Sequence, residues 1–169
     1  MMKNLILLML VSACFSACST AKIYIVRHGE RLNSSDTTSI SAAGQQRAQA
    51  LANFMSDKQI DAIFVSPYQR TRQTAQPTAD RLNLTLTEYQ PRPTNLIASR
   101  LKTQKNKNSL VVGHSDTILE VAKWLETTPS LPKIEPTDFD NMLIVTIKKT
   151  LGRRQVSLQE TTYGQPTPP

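Results

Sequence analysis

The chain contains two histidines, each beside a glycine at the end of an apolar run: Val26-Arg27-His28-Gly29-Glu30 and Val112-Gly113-His114-Ser115-Asp116. Neutral imidazole is a nucleophile and imidazolium an acid, so two such groups delivered at two strand ends point to one shared site rather than to packing. A third segment, Ser66-Pro67-Tyr68-Gln69-Arg70-Thr71-Arg72-Gln73-Thr74-Ala75, follows another apolar run. Its first helical turn would aim side chains at the same crevice, with Arg70 as the contributor. Guanidinium groups are flat bidentate donors suited to oxyanions, and Arg27 and Arg70 supply two of them.

The elements that must position these residues are legible from periodicity. Runs rich in β-branched residues at 23–26, 60–65, 110–112 and 142–147 suit strands buried on both faces of a largely parallel sheet. Helical patterns lie between them. Ser41 is expected to cap a helix reaching about Met55, with Ala48, Leu51, Ala52 and Met55 on its buried stripe. Ser66 as cap and Pro67 at the first helical position open a second helix, reaching about Leu82 with a kink at Pro77. Residues 94–101 and 117–125 form two more, and 155–159 alternate well enough for an edge strand after a turn at 148–154. This alternation predicts an α/β fold: a three-layer α/β/α sandwich on a mostly parallel sheet, with ligands at the carboxyl ends of the strands. The domain is expected over 22–160 and a loose, flexible tail over 161–169. Arg47 and Arg72 read as solvated helix-face residues, and Trp124 and Leu125 as core.

The Arg-His-Gly triplet, the Ser-Pro-x-x-Arg-x-x-x-Thr-Ala helix start and the later Gly-His together resemble the histidine phosphatase superfamily, also called phosphoglycerate mutase-like. The resemblance spans residues 22–147. It implies that His28 is a nucleophile forming a phosphohistidine, with His114 hydrogen-bonding the phosphoryl oxygens. Arg27 and Arg70 would clamp the phosphoryl group, as phosphoryl transfer requires. The proton donor to the leaving alcohol is open among Glu88, Asp116 and Glu30, because spacing alone does not place them. Arg92, in Pro91-Arg92-Pro93, could overhang the pocket and touch substrate. No nucleotide-binding glycine loop, Gly-x-Ser-x-Gly elbow or zinc-ligand spacing occurs, so no cofactor and no metal are implied.

The N-terminus has one cation, Lys3, an apolar stretch at 5–11, and then small residues through Ala21. This is the pattern of an export signal, and its apolar run is too short to span a bilayer. Residues 1–21 are therefore expected to be a signal or lipoprotein leader. The mature start is at Cys18 or Cys14, one of which would carry lipid, or follows Ala21. The two cysteines leave no disulfide for the domain. The protein is thus expected to be exported and periplasmic, touching a bacterial membrane only through this anchor and with its catalytic face pointing away from it.

The 169 residues carry 20 Lys plus Arg and 13 Asp plus Glu, a formal charge of +7. Removing residues 1–17 takes away one lysine and no acid, so the excess belongs to the domain. Export and the scatter of cations argue against a nucleic-acid partner, and a small phosphorylated substrate is the expected one. The leading reading is a phosphomonoester hydrolase. Its alternatives are a phosphohistidine-protein phosphatase and a non-catalytic phosphate-binding lipoprotein.

Overall fold

The computed structural model describes residues 18–168; Cys14 and most of the expected leader lie outside them. In chain order the elements are β1 (Cys18–Arg27), α1 (Ala42–Met55), β2 (Ile60–Val65), α2 (Gln69–Leu82), β3 (Leu86–Glu88), α3 (Thr94–Thr103), β4 (Asn108–Gly113), α4 (Ile118–Trp124), β5 (Asn141–Thr150) and β6 (Arg153–Thr162). The six strands form one sheet in the order β3-β2-β4-β1-β5-β6.

β1 to β4 run parallel to one another, whereas β5 is antiparallel to both β1 and β6. The sheet is therefore mixed, not mostly parallel. An apolar run buried on both faces reads the same in either direction, so periodicity could not show the reversal. The chain from 125 to 140 returns to the end of the sheet where β1 stops, and β5 begins there, with Met142 opposite Val26. β5 then turns into β6 through Leu151 and Gly152, both at positive φ (45° and 79°), the conformation of a tight hairpin turn.

Successive β1 residues divide between two cores, as the pleat requires. Ile23 and Ile25 join Ile97, Leu101, Ile118 and Val121 of α3 and α4, while Tyr24 and Val26 join Leu51 and Met55 of α1 and Ala75 and Ala79 of α2. The three layers follow from this division.

Ser41 caps α1, its side chain accepting from the Gly44 N–H at 3.2 Å. The second helix departs from expectation by starting at Gln69 behind Tyr68, without a side-chain cap. Ser66 cannot serve as its cap because its hydroxyl is engaged with His114 and Thr71. The helix continues through Pro77 to an Asn83 cap in the left-handed conformation (φ 52°).

Three further expectations are corrected. Residues 161–168 are not a loose tail: Thr161 and Thr162 complete β6, Tyr163 is buried, and Thr167 bonds to Phe139 and Asp140. Arg47 is not a solvated face residue but is 2% exposed, holding Glu30 on one side and the Tyr163 and Gln165 carbonyls on the other. Trp124 is 53% exposed, whereas Leu125 is fully buried.

The loop after β1 rests against the start of α1 at two glycines. A Cβ on Gly44 would lie 2.5 Å from the Glu30 carbonyl oxygen and 2.8 Å from the Ile40 Cβ, too close for any side chain. Gly44→Ala should therefore cost about 1–3 kcal/mol in chemical denaturation. It should also reduce activity, because the displaced loop carries His28.

Candidate active site

The four parallel strands end side by side, and the candidate residues sit on those ends. β4 lies between β1 and β2, with Arg27 opposite Gly113 and Val65 opposite Val112. His28 donates its backbone N–H to the Gly113 carbonyl at 3.0 Å, so two histidines 86 positions apart meet with ring centroids 5.4 Å apart. Arg27, His28, Arg70, Arg92, His114 and Asp116 all line one open cavity of about 440 Å³, together with Arg31, Tyr68 and the stretch Gln90-Pro91.

His28 is 4% exposed, and its Nδ1 lies 2.8 Å from the Gly29 carbonyl oxygen. A carbonyl only accepts, so Nδ1 carries the proton and Nε2 holds the lone pair. The turn is held by the Gly29 N–H donating to Thr74 Oγ1 at 2.9 Å, while Thr74 donates to the Arg70 carbonyl. His114 Nε2 lies 2.7 Å from Ser66 Oγ, whose own proton goes to Thr71 Oγ1. Ser66 therefore accepts from His114, leaving Nδ1 as the free nitrogen, 3.4 Å from an Arg70 guanidinium nitrogen.

Burial, supplemented by the neighbouring His114, Arg27 and Arg70, pushes the His28 imidazole down to about 3. Burial and Arg70 push His114 down to about 4. Both rings are neutral at pH 7, the state in which imidazole can attack phosphorus.

Arg27 donates to the Glu135 and Asp138 carbonyls at 2.8 and 2.7 Å and stacks over Phe139 at 3.9 Å. Burial lowers its pKa to about 10, so it stays charged at neutral pH. Arg70 lies over Tyr68 at 4.4 Å and donates to the Asp36 carbonyl at 2.7 Å, bringing the loop at 33–39 to the pocket. In both arginines Nε is buried without a hydrogen-bond partner in the protein. Desolvating a guanidinium costs several kcal/mol unless its donors are satisfied. Four arginines lining one cavity with two neutral imidazoles favour an oxyanion.

The structure separates the three candidate proton donors. Glu30 is taken by Arg47, which grips it from Nε and Nη2 at 2.7–3.1 Å, and it does not line the cavity. Glu88 ends β3 outside the cavity and pairs with Arg72, whose solvated-face reading agrees with its exposure. Asp116 lines the cavity, with Arg92 against it at 3.0 Å and Glu120 on the other side of Arg92 at 3.2 Å.

Sequence reasoning missed Arg31, Tyr68 and the Ser66–Thr71 relay. Arg31 was discoverable, standing three positions after His28 on the same loop. Tyr68 and Ser66 sit inside the helix-start motif, but that motif does not reveal which side chains turn inward. Among the described residues no group of three or more His, Cys, Asp or Glu side chains is arranged to hold a metal.

Residues 23–92 match the histidine phosphatase superfamily, branch 1. That stretch carries Arg27, His28, Arg70 and Arg92, and His114 lies beyond it. The chain is also similar to an uncharacterized protein of Mycobacterium tuberculosis, 36% identical over 70 residues that make up 37% of this chain and 35% of that protein. It thus spans about a third of the length of the curated relatives it matches. Among solved structures, the protein histidine phosphatase SixA complexed with tungstate aligns at a TM-score of 0.64, covering 83% of this chain and 96% of that one at 22% identity. A mycobacterial glucosyl-3-phosphoglycerate phosphatase aligns at 0.58, covering 82% and 98% at 14% identity. These likenesses establish the histidine phosphatase fold.

The chain's two histidines allow a direct check of the site's electrostatics. In proton NMR, both ring resonances should titrate at about 3 to 4 rather than near 6.5. Because the folded values lie below the unfolded one, the unfolded chain binds protons more readily. Stability should therefore be lost as pH falls from about 6.5 towards 3.

Proposed function

We propose that the chain is a phosphatase that hydrolyses small phosphomonoesters through a phosphohistidine on His28. The observation that carries this reading is one cavity lined by Arg27, Arg31, Arg70 and Arg92 together with two neutral imidazoles, one of which has its Nδ1 proton committed to a backbone carbonyl.

Arg27 and Arg70 hold the phosphoryl oxygens, and His28 Nε2 attacks phosphorus in line with the ester oxygen. The P–Nε2 bond forms as the P–O ester bond breaks, and the leaving oxygen takes a proton from Asp116, the one candidate carboxyl group lining the cavity. Water then attacks the phosphohistidine, returns a proton to Asp116, and the P–Nε2 bond breaks to release phosphate. His114 is fixed at Nε2 by Ser66 and donates from Nδ1 to a phosphoryl oxygen once protonated. The bound dianion favours that protonation, opposing the burial and the Arg70 charge that otherwise depress it.

His28→Ala should abolish turnover of an aryl phosphate while leaving the protein folded, and acid-labile phosphate should be trapped on the wild type after a rapid quench. Full turnover by the variant would refute the nucleophile. Asp116→Asn should lower kcat about a hundredfold on an alkyl phosphate and only a fewfold on nitrophenyl phosphate, whose leaving group needs no proton. Equal loss on both substrates would remove Asp116 as the acid.

The protein is further proposed to be exported and lipid-anchored at Cys18. Cys18 is exposed and paired with Thr150, whereas Ala21 is buried and paired with Ile147. Cleavage after Ala21 would remove four residues from a paired strand, and a start at Cys14 would leave Cys18 as an exposed unpaired thiol, whereas anchoring at Cys18 avoids both. Cys18→Ala should abolish the lipid mass increment and membrane fractionation in a bacterial host, and Cys14→Ala should change neither.

A further inference from the structure

The end of the sheet opposite the cavity carries a concentration of positive charge for which the catalytic reading has no use. β1 begins there at Cys18, paired with Thr150, and Ser19 and Thr20 lie opposite Lys149 and Lys148. The Thr20 N–H donates to Asn106 Oδ1 at 3.0 Å, tying the turn that carries Lys105 and Lys107 to this same end. On the other side the β5–β6 hairpin brings up Arg153 and Arg154, with Leu151 at its tip 75% exposed. A groove of about 420 Å³ runs among Lys105, Lys149, Arg153 and Arg154. A second of about 530 Å³ lies on the far side of the hairpin, among Lys148, Leu151 and Arg153.

The carboxylates at this end do not cancel that charge. Glu126 is shared by Lys102 and Arg154, Asp57 pairs with Lys58, and Asp61 accepts from the Asn108 N–H. Among the described residues, Lys105, Lys107, Lys148, Lys149 and Arg153 make no ion pair. Selection for solubility alone does not require cations to gather around an exposed leucine.

We propose that this end of the protein docks on the surface of an anionic phospholipid bilayer, the cations receiving phosphate headgroups and Leu151 entering the interface. Charge complementarity selects anionic lipid. The path of the chain selects a bilayer over other polyanions, because Cys18, the proposed site of the lipid anchor, stands at this end of β1. β1 has ten residues and rises about 3.3 Å per residue, so a protein seated this way holds His28 about 30 Å above the headgroups, open to soluble substrates. The surface is independent of the phosphatase chemistry.

The test is co-sedimentation of the full chain with vesicles of phosphatidylcholine alone or with about 30% phosphatidylglycerol. Hydrophobic contact made by the N-terminus is common to both vesicles, so the ratio of the two partition coefficients isolates the basic surface. The wild type should favour the anionic vesicles at least about tenfold, and about 0.5 M salt should erase the preference. The triple variant Lys105→Glu, Lys149→Glu, Arg153→Glu should bring the ratio near one, with binding to neutral vesicles and the unfolding transition unchanged. Lys133→Glu, at an exposed lysine paired with Glu135, should keep the ratio. A wild-type ratio near one, an unchanged ratio in the triple variant, or equal loss in Lys133→Glu would overturn the proposal. So would a preference for single-stranded RNA over anionic vesicles at equal phosphate concentration.

Discussion

The placement of β4 between β1 and β2 is the constraint on which the rest of the molecule depends. It sets Gly113 beside Arg27, and the hydrogen bond from the His28 N–H to the Gly113 carbonyl then fixes the distance between the two imidazoles. The same insertion brings the end of β2 alongside, so that Ser66 reaches His114 Nε2 and Arg70 reaches His114 Nδ1. A site assembled from the ends of three hydrogen-bonded strands inherits the rigidity of the sheet, which is how a reaction that depends on positioning obtains its geometry.

That geometry comes with an electrostatic cost. Two buried guanidiniums and two buried imidazoles line one cavity, and burial drives both histidines to the neutral form. The arginines resist neutralisation because guanidinium pKa values start so high, and backbone carbonyls from 135, 138 and 36 absorb part of their charge. The acidic residues near the site are mostly committed elsewhere: Glu30 to Arg47 and Glu88 to Arg72. The cavity therefore stays net positive, and an oxyanion is the species that would complete its hydrogen bonding. The cavity and the basic hairpin lie at opposite ends of β1, so the charge excess of the domain is divided between two surfaces and not spread evenly.

Glu30 shows why carboxylates were harder to place than histidines. It stands two residues from His28, and a reading from sequence proximity brings it to the reaction. Yet α1 presents Arg47 to it, and that pair also fastens the segment after β6 through the Tyr163 and Gln165 carbonyls. Its function is architectural, and nothing in the local sequence distinguishes it from Asp116. Trp124 failed for a similar reason. Hydrophobicity proposes burial, but α4 is only seven residues long, and its last turn leaves the indole 53% exposed.

The sequence by itself determined three of the four parallel strands, β1, β2 and β4, the helices between them and the identity of the histidines and arginines at their ends, whereas the three-residue β3 left no apolar run to read. Apolar periodicity and strand-end placement are local properties that survive without knowledge of the fold. Only the tertiary structure decided the direction of β5 and β6, the docking of residues 161–168, the burial of Arg47, and which carboxylate shares the cavity with His28. Each of these depends on contacts between segments tens of residues apart, and a side chain's partner across such a distance is chosen by strand order and packing rather than by its neighbours in the chain.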